Sequence, residues 1–120
     1  MSNYNRVILI GNLTRDPELA YTLDQTPVVN FGLAVNRRWK DRNGQQCEDV
    51  CFVECVSYGP RGYPVHKYCN KGSSVLVEGE LRYQSWEKDG KKKSRHIVQV
   101  RSVQFLTPKR EGDSNGQADS

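Results

Sequence analysis

The chain has 120 residues, 36% hydrophobic and 27% charged, with a net charge of +4. That length holds one domain with a small core, and the longest apolar run, Val7–Ile10, falls far short of the ~20 residues a membrane-spanning helix needs. The start also carries no long apolar segment of the secretory kind, so the expected location is the cytoplasm and no membrane partner is expected.

Five segments read as strands, separated by clusters of turn-forming residues. The first runs from about Tyr4 to Leu13 and ends at Thr14-Arg15-Asp16-Pro17, where proline stops a ladder. The second, about Val28 to Arg38, alternates Val29, Phe31, Leu33 and Val35 with Val28, Asn30, Gly32, Ala34 and Asn36. The heavy side suits a core, and the small side suits close approach by another backbone or another subunit. Asn43-Gly44 then marks a hairpin turn. The third strand, about Val50 to Tyr58, has a compact side (Cys51, Val53, Cys55, Ser57) and a side holding Phe52, Glu54 and Tyr58. A short helix over Tyr63–Asn70 opens on Pro64 and ends at Gly72. The fourth strand, Ser74 to Gln84, carries Gly79 in its middle, the mark of a bend or bulge. A hairpin over Glu87–Lys91 leads to the fifth strand, Arg95 to Leu106.

This order predicts an all-β fold, a five-stranded OB-fold barrel with one short helix between strands 3 and 4. The domain covers residues 1–107, and 108–120 have the composition of a flexible acidic C-terminal tail. Setting aside the last ten residues, which hold Glu111, Asp113 and Asp119, leaves 18 basic against 11 acidic side chains, a balance of +7. A basic body with interspersed aromatics suits a polyanion. The four cysteines stand at 47, 51, 55 and 69. Cys51 and Cys55 lie on one strand face about 13 Å apart, too far to share a metal. Structural thiols are therefore expected, with no metal and no cofactor.

Several blocks of the sequence resemble the bacterial single-stranded DNA-binding protein family over about residues 3 to 107. They are Asn5 to Leu13, Asp16-Pro17-Glu18, Asn30 to Ala34 with Trp39, Phe52 to Gly59, Lys71-Gly72-Ser73, Val77 to Leu81 with Trp86, and Val103 to Leu106. The resemblance implies a homotetramer of OB-folds that wraps single-stranded DNA during replication, recombination and repair. It places base-stacking aromatics at Trp39, Phe52, Tyr58 and Trp86. The chain departs from the family's acidic Pro-Phe tip, ending Gln117-Ala118-Asp119-Ser120, so recruitment of replication or repair proteins by that route does not carry over.

Sequence-tolerant binding needs what every nucleotide offers, a phosphate and a π-face. Trp39 is flanked by Arg37, Arg38, Lys40 and Arg42, and Trp86 lies between Arg82 and the hairpin of Lys88, Lys91, Lys92, Lys93 and Arg95. Apart from Arg95, these cations together with Arg6 and Lys71 form the expected phosphate-contacting set. The rival readings are plainer: tryptophans capping core edges, and lysines on a solvated turn. Tyr63, Tyr68 and Tyr83 are assigned to packing. Glu54, among the stacking residues, would repel phosphate unless it pairs with Arg38, Arg82 or another base, and the sequence names no one partner. Two other functional classes remain for comparison. One is an adaptor OB protein for RNA or structured nucleic acid. The other is an enzyme, which the absence of a nucleophile motif or Gly-rich phosphate loop disfavours.

Overall fold

The structure, a computed structural model, describes residues 2–106, so the expected tail at 108–120 lies outside the described residues. The elements are β1 (Val7–Leu13), β2 (Glu18–Tyr21), β3 (Pro27–Lys40), β4 (Gln46–Tyr58), a 3-10 turn at Pro60–Gly62, α1 (Tyr63–Tyr68), β5 (Ser74–Lys88) and β6 (Lys91–Phe105). Five strands close in the order β1-β5-β6-β4-β3, and β3 returns to β1 through Asn12↔Ala34 and Leu13↔Leu33. β4 and β6 meet in parallel at Cys55↔Val98 and Val56↔Gln99. This is the expected five-stranded OB barrel, with its helix between the third and fourth barrel strands. β2 is an addition that the sequence did not indicate, a short strand pairing with β3 over Pro27–Asn30.

The heavy side of β3 faces inward as expected. Val29, Phe31 and Leu33 are fully buried against Cys55, Val75, Val77, Val98 and Val100. Val65 of α1 joins this cluster and ties the helix to the core. α1 ends two residues earlier than expected: Cys69 is already extended, and its N–H donates to the Val65 carbonyl. Two glycines set how tightly the barrel closes. A Cβ on Gly11 would lie 2.4 Å from the Ala34 carbonyl oxygen, and one on Gly79 2.1 Å from that of Gln99. The ladder shifts register between Glu78 and Gly79, the irregularity that the mid-strand glycine foretold.

The ladders are longer than the sequence suggested. β3–β4 pairing runs from Val28↔Tyr58 to Lys40↔Gln46, and β5–β6 pairing runs to Lys88↔Lys91. Asp41 turns the first hairpin, its carboxylate accepting the backbone N–H groups of Asn43 at 2.8 Å and Gln45 at 2.9 Å. Asp89 and Gly90, both with positive φ, turn the second in two residues. Beyond the barrel these ladders are two-stranded ribbons. That is why Tyr83, in phase with buried Val75 and Val77, is exposed; Leu81 is exposed beyond Gly79, where the β1–β5 ladder ends.

The thiols divide the same way. Cys55 and Cys69 are buried, whereas Cys51 is exposed and Cys47 half-buried. The compact-face reading is thus corrected at Cys51, which pairs with Val35 near the barrel rim. Among the described residues no helix is long and apolar enough to cross a membrane. Burial, and after it Glu54, pushes the Cys55 thiol up to about 12. In a thiol-labelling time course at pH 8, Cys51 and Cys47 should react readily, with Cys55 and Cys69 protected until denaturant is added. Gly79→Ala should cost about 1–3 kcal/mol in a urea titration, because the added methyl meets backbone rather than a movable side chain.

Candidate nucleic-acid interface

Alternation along the β3–β4 ladder sorts the aromatic side chains. Phe52 lies opposite Ala34, and Tyr58 opposite Val28, so both sit on the side of the ladder facing away from the core. Small partners leave these rings standing proud, with Phe52 73% and Tyr58 44% exposed. Trp39 is in phase with Phe31 and Leu33, on the other face, but lies past the rim opposite Cys47. There it is exposed rather than part of the core cluster. Trp86 belongs to the other ribbon, opposite Lys93. The four predicted platforms are therefore not gathered into one pocket. Two share a face, one lies on the reverse of the same ladder, and one stands on the second hairpin.

Each tryptophan has a guanidinium over its ring. Arg37 sits 4.3 Å from the Trp39 ring centroid and Arg95 5.6 Å from that of Trp86. One cation–π partner covers one face of an indole. With 37% of Trp39 and 41% of Trp86 exposed, the rest of each ring stays open to a flat ligand. Trp86 and Arg95 also line an open depression of ≈ 680 Å³ with Tyr83, Gln84 and Ser85.

The predicted cations fall into two groups. Arg6 pairs with Glu78 at 2.5 Å, Arg38 with Glu48 at 3.2 Å, and Arg82 lies 3.6 Å from Glu80, which also holds Arg101. Arg37 is engaged with Trp39. Among the described residues, Lys40, Arg42, Lys71, Lys88, Lys91, Lys92 and Lys93 make no ion pair. These surface pairs are each worth at most about 1 kcal/mol, so their consequence is where they hold the guanidinium groups.

Three features escaped the sequence reading. Glu54 has a partner, Arg15, through two hydrogen bonds of 2.7 and 3.3 Å, and this bonding raises the Arg15 pKa further. The residues are 39 apart in the chain, with no local pattern to join them. Arg95, expected beside Trp86 but not assigned to it, lies over the indole because the hairpin register places it one step away from the ring. Tyr63, Tyr68 and Tyr83 are corrected from packing to surface positions, since all three are exposed. Tyr63 reaches the Tyr21 hydroxyl at 3.4 Å, and Tyr68 carries Lys67 at 5.3 Å from its ring centroid.

Comparison with known proteins supplies a family. Residues 4–106 match the model of the single-strand binding protein family. A single-stranded DNA-binding protein of Helicobacter hepaticus is 44% identical over 113 residues, covering 93% of this chain and 66% of the relative. One of Helicobacter pylori is 40% identical over 119 residues, covering 98% and 66%. The chain thus spans about two thirds of the length of these relatives. Among solved structures, a Plasmodium falciparum SSB in complex with ssDNA matches with a TM-score of 0.79 at 24% identity, covering 88% of this chain and 97% of that one. That likeness establishes the fold.

The free lysines make a measurable forecast. Neutralising Lys91, Lys92 and Lys93 together to Gln should flatten the dependence of log affinity on log salt for a single strand. The slope should fall by about 0.7 for each phosphate no longer neutralised, up to ~2 in all. The check is a series of fluorescence titrations across salt concentrations.

Proposed function

The chain belongs to the single-strand binding protein family, and from that premise we propose that it binds single-stranded DNA without reading sequence, protecting and organising it in replication, recombination and repair. The supporting observation is the set of four aromatic rings, Trp39, Phe52, Tyr58 and Trp86, all open to solvent, with a guanidinium over each tryptophan on the two projecting ribbons and Phe52 and Tyr58 on the core-averted face of β4. Stacking tolerates any base and contributes ~1–3 kcal/mol per base, so four platforms offer on the order of 4–12 kcal/mol before ordering costs. Phosphates meet Lys40, Arg42, Lys71, Lys88, Lys91, Lys92 and Lys93, with Arg37, which lies over Trp39, and the carboxylate-paired Arg6, Arg38 and Arg82 completing the cationic set. Because the platforms lie on different faces, a strand that visits all of them has to wrap around the barrel. No catalytic step belongs to this reading, and the place of action is the cytoplasm, beside the nucleoid.

The assembly we propose is a homotetramer. Its support is β1, where the edge away from β5 has no ladder partner over Val7–Gly11 among the described residues, and Ile8 and Ile10 are each 55% exposed. An open edge beside an apolar face invites a second copy.

Titration with oligo-dT should quench tryptophan fluorescence, and Trp39→Ala with Trp86→Ala should weaken binding by ~10–1000-fold in total. Unchanged affinity in that double variant would remove the stacking assignment. A matched single-stranded RNA and a duplex should bind more weakly; preference for either would favour the adaptor class instead. Light scattering at micromolar concentration should give the mass of four chains, and a monomer there rejects the tetramer.

A further inference from the structure

The core-averted side of the β3–β4 ladder sets an electrostatic problem. Glu54 occupies the same side as Phe52 and Tyr58, one step from the first and two from the second, each step being ~7 Å along the strand. Phosphates of a strand stacked on both rings pass close to this carboxylate, and a bare one would repel them.

It is not bare. Glu54 takes both terminal nitrogens of Arg15, Nη2 to Oε2 at 2.7 Å and Nη1 to Oε1 at 3.3 Å. The position opposite Glu54 is Gly32. A Cβ there would lie 2.7 Å from Arg15 Nη1 and 2.4 Å from Thr14 Oγ1. The guanidinium therefore rests against bare backbone, close to the ladder surface. Its own segment is fixed as well, since the Thr14 N–H donates to the Gly32 carbonyl at 3.0 Å. The cation is the outer member of the pair, with 39% of the Arg15 side chain exposed against 23% of Glu54. A guanidinium has five N–H donors; two go to Glu54, and three remain.

We propose that Arg15 is a further phosphate-contacting residue of the DNA path, with Glu54 as its positioning residue. The carboxylate fixes the guanidinium between the Phe52 and Tyr58 platforms, and the remaining donors grip the phosphate that passes there. A fixed planar fork loses less freedom on binding than a mobile lysine. This inference rests on the single-stranded DNA reading, and it gives the acidic residue among the stacking platforms a use.

The plain alternative is that Arg15 merely cancels Glu54. The double variant Arg15→Gln/Glu54→Gln separates the two, because it leaves the local charge where it was. Wild type and variant are titrated with oligo-dT over a salt series, and thermal melting checks that each is folded. The expected result is a several-fold loss of affinity with a log–log salt slope lower by up to about 0.7, the share of one single-strand phosphate. Binding and slope equal to wild type overturn the inference. Arg15→Lys, which keeps the charge but not the fork, reports even if the double variant does not fold. It should keep the slope and bind several-fold more weakly, and wild-type affinity in that variant also overturns the inference. If wild type itself fails to bind oligo-dT, the functional reading falls; if wild type binds and the variants match it, only the role of Arg15 falls.

Discussion

A mismatch of lengths governs this molecule. β1 has 7 residues, whereas β3, β4, β5 and β6 have 14, 13, 15 and 15. The barrel can close only over the stretch that β1 reaches, and there glycines at 11 and 79 let backbones approach to distances no side chain permits. The surplus strand length leaves the barrel as two paired ribbons. A ribbon has no interior, so a side chain that would be buried a few residues earlier is presented to solvent. Trp39 and Tyr83 are both in phase with core residues, yet exposed for this reason.

Exposure of large rings is costly to solubility unless something borders them, and here the borders are charged. The arginines and lysines divide this work. Arg6, Arg15, Arg38, Arg82 and Arg101 lie against carboxylates, and Arg37 and Arg95 lie over indoles. The lysines of the two ribbons make no ion pair among the described residues. Fixed forks beside the rings and mobile point charges around them suit a ligand that repeats one charge and one flat surface along its length.

The barrel was largely legible in the sequence because its inner strands alternate cleanly: Val29, Phe31 and Leu33 are inward as read, and Gly79 marks the irregularity in β5. The ribbons were not. Gln46–Asp49 and Lys91–Ser94 look like loop because no core demands apolar residues there, so nothing in the pattern marks where those strands begin. β2 leaves no signal either, since four residues after Pro17 carry too little pattern. The pairing of Glu54 with Arg15 depends on register across 39 residues. The one hint in the sequence was the small side of β3, which does admit close approach, by the β1 backbone at Ala34 and by the Thr14 and Arg15 side chains at Gly32.

The indole faces left open by Arg37 and Arg95 receive bases, and oxidation of Trp39 and Trp86 by N-bromosuccinimide, followed by peptide mass spectrometry with and without saturating oligo-dT, puts this to the test. Both tryptophans should be modified in the free protein and both shielded by the oligonucleotide, but not by an equal mass of duplex. Equal modification of the two residues with and without the single strand would show that bases do not stack there.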